Sequence, residues 1–145
     1  TMSKAFALAG ARVGYLAAAP EVTAAIRLVR LPYHLSAVTQ ATANAALKHV
    51  EALLANVEDI KSQRDRIVNE LTRMGLNPAS SDSNFVFFGG LENPRYIWEG
   101  LLEAGVIIRD VGIPGHLRVT AGTEAETTAF LVRLEELLNQ APHGH

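Results

Sequence analysis

Ser3-Lys4-Ala5-Phe6-Ala7-Leu8-Ala9-Gly10-Ala11-Arg12-Val13-Gly14-Tyr15 sets a hydroxyl, a lysine and an arginine within ten residues of one another, among small and apolar neighbours. Solvated surface loops rarely have that make-up. An ammonium in apolar surroundings is penalised, which favours the free amine, a nucleophile toward an aldehyde. Schiff-base formation is the chemistry such a lysine suits. Ser3 and Arg12 suit a phosphate, the serine through its hydroxyl and the arginine through paired charge-assisted bonds, while Gly10 and Gly14 admit a close backbone approach. A phosphate-bearing aldehyde cofactor satisfies all of them. The plainer reading is a chance Ser-Lys pair beside an arginine in an ordinary salt bridge.

Thr1-Met2-Ser3-Lys4 passes into this stretch without a polar lead-in, as though the sequence starts inside a folded domain. The expectation is a piece of a longer protein. Of the 145 residues, 48% are hydrophobic and 19% charged, a balance that excludes disordered and fibrous classes. A formal net charge of -2 supplies no broad attraction for nucleic acid or an anionic membrane, so small-molecule partners are expected instead. The chain has no cysteine, hence neither a disulfide framework nor a thiolate zinc site. There is no long apolar run for a transmembrane helix and no signal-peptide pattern, and a cytoplasmic protein is expected.

Outward from the lysine stretch, residues 12–18 are apolar without a helical stripe and end at Pro20, which predicts a short buried strand. Pro20-Glu21 opens a helix with Ala24, Ala25, Leu28 and Val29 on its apolar face, stopped by Leu31-Pro32-Tyr33. Ser36 is the N-cap of a second, Ala-rich helix, expected to be buried. From Val50 to Met74 apolar residues recur every three or four positions, one long amphipathic helix that Gly75 closes and in which Arg64 reads as a snorkelling residue.

The remainder alternates. Asn84–Phe88 reads as a strand, 94–104 as a helix closed by Gly105, Val106–Arg109 and Leu117–Thr120 as short strands around the Gly112–Gly115 turn. Thr123 and Glu126 form a capping box before a last helix carrying Phe130, Leu131, Leu134, Leu137 and Leu138. That order predicts a small α+β layer with helices on one sheet face. His34, His49 and His116 lack ligand spacing and His143 and His145 lie in a tail, so no metal site is expected. Gly112-Ile113-Pro114-Gly115 is a turn rather than a phosphate loop, since no Gly-Lys-Ser/Thr ending follows.

The string Ser-Lys-Ala-Phe-x-Leu-Ala-Gly-x-Arg-x-Gly-Tyr resembles the lysine-loop signature of the fold-type I, class I/II pyridoxal-phosphate aminotransferases. Its Ala-Phe-x-Leu-Ala-Gly form is similar to the histidinol-phosphate aminotransferases in particular. Val106–Val111 followed by Gly115–Thr123 resembles the same family's small-domain ending. The resemblance implies an α/β fold: the C-terminal part of a fold-type I enzyme, with residues 1–48 as an incomplete large-domain tail, 49–75 as a linking helix and 76–145 as a small α+β domain. It implies pyridoxal 5'-phosphate carried by Lys4, which also serves as proton-transfer base and acid, with Ser3 and Arg12 on the cofactor phosphate. It assigns Arg118 to the carboxylate or phosphate of the substrate and Arg109 to the vicinity of that phosphate; strand-end arginines in surface ion pairs are the plainer reading. Asn84 and Tyr33 match family positions to which no site role is given.

The activity so implied is transfer of an amino group between glutamate/2-oxoglutarate and histidinol phosphate/imidazole acetol phosphate, by a homodimer. The nearest alternatives keep the lysine and change the substrate, as in aromatic-amino-acid aminotransferases or a phosphothreonine decarboxylase. A different class is a non-catalytic small-domain module that retains Lys4 only by its boundary. In the family, the aspartate on the pyridine nitrogen and the aromatic residue stacked on the ring lie upstream of the lysine. These 145 residues alone are therefore expected not to transaminate efficiently.

Overall fold

Residues 1–140 are described by a computed structural model, in which the chain divides into two units, Thr1–Val57 and Glu58–His145. His143 and His145 lie outside the described residues. In the first unit the lysine stretch is a series of turns: Ala7 N–H donates to the Lys4 carbonyl (3.0 Å), Leu8 N–H to Met2 (3.2 Å) and Met2 N–H to Val13 (3.1 Å). Met2, Val13 and Ala43 are buried, with Phe6, Leu8, Ala11, Leu35 and Ala46 packed against them. The strand expected over 12–18 does not form. Tyr15 and Leu16 are exposed, and an extended segment becomes a strand only where a neighbour takes up its backbone hydrogen bonds.

Helix α1 (Pro20–Val29) begins with proline in its first turn and Glu21 beside it, as expected. It ends where Leu31-Pro32 forbids further helical backbone. Its apolar face is bare, with Leu28 87% and Val29 83% exposed. Helix α2 (Ala37–Lys48) is capped by Ser36, whose Oγ accepts from Thr39 N–H at 3.0 Å. Only Ala43 of this helix is buried, against the expectation of a buried helix. Alanine permits a close neighbour but offers little area to hold one.

Helix α3 (Val50–Arg73) is the long helix the periodicity predicts, 24 residues. The Arg64 side chain is 13% exposed and paired with Asp65 at 2.7 Å. Gly75, at φ +80°, closes the helix: its N–H donates to Thr72 (3.0 Å) and Leu76 N–H reaches back to Leu71 (2.9 Å). This six-to-one and five-to-two pairing is the Schellman closure, and the accompanying contact is made by buried Leu71 and Leu76.

The second unit is built on an antiparallel sheet of order β1-β2-β4-β3, with β1 (Asn77–Pro78), β2 (Phe85–Gly89), β3 (Arg109–Asp110) and β4 (Leu117–Thr120). Helix α4 (Pro94–Glu103) follows β2 and helix α5 (Glu124–Gln140) follows β4. Val86 and Phe88 of β2, and Leu117 and Val119 of β4, join Ile67 and Leu71 of α3, Ile97 and Leu101 of α4, and Phe130, Leu131, Leu134 and Leu137 of α5 in one core. The strand expected over Val106–Arg109 shrinks to Arg109–Asp110. Val106 N–H is taken by the Leu101 carbonyl in the closing turn of α4 (2.9 Å), and the Ile108 carbonyl accepts from Trp98 Nε1 (3.1 Å). Backbone groups already committed to a helix cannot extend a ladder.

The capping box of α5 forms as read: Thr123 N–H donates to Glu126 Oε2 (2.7 Å) and Glu126 N–H to Thr123 Oγ1 (3.3 Å). The backbone bond from Thr123, then its hydroxyl, hold the Glu126 carboxyl below the usual glutamate range.

Candidate active site

Five residues are the sequence candidates, and they fall in different units: Ser3, Lys4 and Arg12 in the first, Arg109 and Arg118 in the second.

Ser3 and Arg12 line one open hollow of about 440 Å³ together with Thr1, Val13 and Gly14. Thr1 Oγ1 lies 2.8 Å from Ser3 Oγ and accepts from Ser3 N–H at 3.2 Å. Arg12 donates from a terminal guanidinium nitrogen to the Ala9 carbonyl (3.2 Å), and among the described residues no carboxylate pairs with it. Gly14 is packed close, a Cβ there meeting Thr1 Cα at 3.1 Å, whereas Gly10 faces open space. Two non-glycine residues of this loop, Ala7 and Arg12, have φ 52°. Left-handed backbone of this kind costs about 1–3 kcal/mol per residue and concentrates at functional loops. Hydroxyls, an unpaired guanidinium and a tight backbone form a donor set that fits a phosphate monoester.

Lys4 is exposed and does not line that hollow. The apolar surroundings inferred for it from sequence are therefore not built by its neighbours in the first unit: Ala5 and Phe6 are half-buried, and Ala7 and Ala9 are exposed.

In the second unit the register supplies the geometry. Arg118 is the ladder partner of Phe87 on one side and of Arg109 on the other. Directly opposed residues share a face, so both arginines stand on the side of the sheet away from the core. The same alternation puts Phe85 there. The Arg118 guanidinium carbon lies 4.7 Å from the Phe85 ring centre, and its Nε is buried without a partner. Among the described residues neither arginine forms an ion pair, so the plainer reading of strand-end arginines in surface pairs does not hold. Two guanidiniums without carboxylate partners on adjacent strands are chemically suited to an anion.

Sequence reading missed Phe85, Phe87 and His116, which line this face. The signal was present as alternation: Val86 and Phe88 point inward, so Phe85 and Phe87 must point outward. Thr1 was missed as well, with no motif to find it. Among the described residues no group of three or more histidines or carboxylates could hold a metal, and none of the described helices is long and apolar enough to cross a membrane.

The crystal structure of histidinol-phosphate aminotransferase from Sinorhizobium meliloti in complex with pyridoxal-5'-phosphate matches over 97% of this chain and 40% of that chain, with a TM-score of 0.83 and 31% identity. The fold is thus that of part of a fold-type I aminotransferase. The family model "Aminotransferase class I and II" matches residues 1–134, and the chain belongs to that family. It is 81% identical over 144 residues to histidinol-phosphate aminotransferase of Paenarthrobacter aurescens (strain TC1), covering 99% of this chain and 39% of the relative. It is 61% identical to that of Frankia casuarinae, again over 99% of this chain and 36% of the relative. The chain therefore spans under two fifths of the length of these relatives.

Proposed function

We propose that this chain is the lysine-bearing and small-domain portion of a pyridoxal-phosphate enzyme that exchanges an amino group between glutamate/2-oxoglutarate and histidinol phosphate/imidazole acetol phosphate. The observation that carries the reading is the closeness to the Paenarthrobacter relative across nearly the whole chain. Arginines standing free on the sheet face agree with it, since the substrates pair a carboxylate or phosphate with an amino group.

Within that reading, Lys4 would hold the cofactor and, once displaced from it by the substrate amine, its free Nζ would take and return the proton on the substrate carbon that bears the nitrogen. Ser3 Oγ and the Arg12 guanidinium hold the cofactor phosphate. Bound pyridoxal phosphate supplies the electron sink for the carbon that loses its proton. Arg118 grips the carboxylate of one substrate and the phosphate of the other, since a planar fork of donors fits both, and Arg109 adds charge beside it. The working form is a cytoplasmic homodimer, and the 145 residues alone do not turn over substrate.

The test is a rate comparison on the full-length protein. Histidinol phosphate is expected to be converted faster than phenylalanine; faster conversion of phenylalanine removes the substrate assignment and leaves an aromatic aminotransferase.

A further inference from the structure

His116 is idle in the mechanism above, yet it is fixed from three directions. Its Nδ1 lies 2.7 Å from the Pro114 carbonyl; a carbonyl only accepts, so Nδ1 carries the proton and donates. Its ring stacks on Phe87, centres 4.8 Å apart and planes 6° from parallel. Its Nε2 edge fills the space over Gly89, where a Cβ would come within 2.4 Å of it. Any side chain at position 89 displaces the ring.

The consequence falls on Arg118, two residues further along β4. The strand register sets Phe87 directly across from Arg118, with Phe85 across from Thr120 and so diagonal to Arg118. Both rings are within reach of a long side chain on the same face, and either could take the guanidinium in a cation–π contact. Only Phe85 does. One face of Phe87 is already covered by His116. The two contacts repeat one diagonal offset along the strand pair, His116 on Phe87 and Arg118 on Phe85.

We propose that His116 is a positioning residue for Arg118: by occupying Phe87 and the hollow over Gly89, it confines the guanidinium to Phe85. Without it the Phe87 ring is free to compete, and Arg118 divides its time between two rings. This rests on the reading of Arg118 as the anion-binding arginine only for its importance to function, not for the geometry.

The test is side-chain NMR on the full-length protein, following the Arg118 Nε–H signal. In the wild type that proton, buried with its nitrogen, is expected to exchange slowly with water. Loss of a stacked pair is expected to make exchange about fivefold faster in His116→Ala. His116→Phe keeps the stack while losing the hydrogen bond, and recovers most of the protection. Gly89→Ala, which leaves His116 in place but pushes its ring aside, is the second route and is expected to speed exchange likewise. Wild-type exchange at Arg118 in both His116→Ala and Gly89→Ala, with β4 backbone signals unchanged, overturns the proposal. Titration of the wild type with inorganic phosphate keeps the two readings apart: an unmoved Arg118 signal removes the anion role proposed above, whereas the exchange comparison alone decides the role of His116.

Discussion

The first unit of this chain is the richer in apolar residues, the excess being mostly alanine, yet the two differ in what they do with them. Thr1–Val57 buries Met2, Val13 and Ala43 and leaves Leu28, Val29, Leu31 and Tyr33 in water. Glu58–His145 closes a core in which Leu71, Val86, Phe88, Leu101, Leu117 and Leu134 have no exposed surface at all. Apolar content therefore does not make a core. What the second unit has is topology: the apolar faces of β2 and β4 meet helices that precede and follow them in the chain. The apolar helix face of the first unit has no such partner among the described residues.

The contrast is broken most readily in the core. Phe88→Ala is expected to destabilise the second unit by about 3–5 kcal/mol, the usual loss on truncating a fully buried aromatic ring. Urea unfolding followed by Trp98, the only tryptophan of the chain, reads that unit. An unchanged midpoint would mean the second core is not what holds it.

A smaller change of the opposite sign comes from Thr127, 2% exposed with a hydroxyl that has no partner. Thr127→Val keeps the shape and removes the unsatisfied group, and is expected to raise stability by about 1 kcal/mol in the same measurement. In the first unit Leu28→Ala is expected to move stability by less than about 0.5 kcal/mol, since the side chain is already in water; a loss as large as that of Phe88→Ala would erase the difference between the units.

The smallest effect is a pH dependence. The Glu126 carboxyl is held below its ordinary range in the folded chain by Thr123. Its contribution is therefore complete above the ordinary glutamate range and is lost as pH falls through the lowered folded value. Glu126→Gln is expected to make the acid side of the stability profile shallower, and the group is fully exposed, so the change is slight.

These differences also explain what could be read beforehand. The α3 stripe, the Ser36 and Thr123 caps and the Gly75 closure were legible because each is local, a matter of residues within one or two turns. The exposure of α2 and the lack of a strand at 12–18 were not, because those outcomes depend on partners distant in sequence. Val106–Ile108 failed as a strand for a local reason that composition conceals: its backbone groups are taken by the end of α4. At the site, residue types pointed to Ser3, Lys4 and Arg12, and the family resemblance to Arg109 and Arg118. The Phe85 ring that seats Arg118 and the exposure of Lys4 required the fold. Register, not motif, sets Arg109 beside Arg118.

Lys4 is the residue on which the functional reading turns, and the chain has only Lys4, Lys48 and Lys61 to choose from. The direct measurement is borohydride reduction of the full-length protein in the presence of pyridoxal phosphate, followed by digestion and mass analysis of the modified peptide. The cofactor is expected on Lys4, with no incorporation at that peptide in Lys4→Ala. Incorporation on Lys48 or Lys61 with Lys4 unmodified would contradict the assignment.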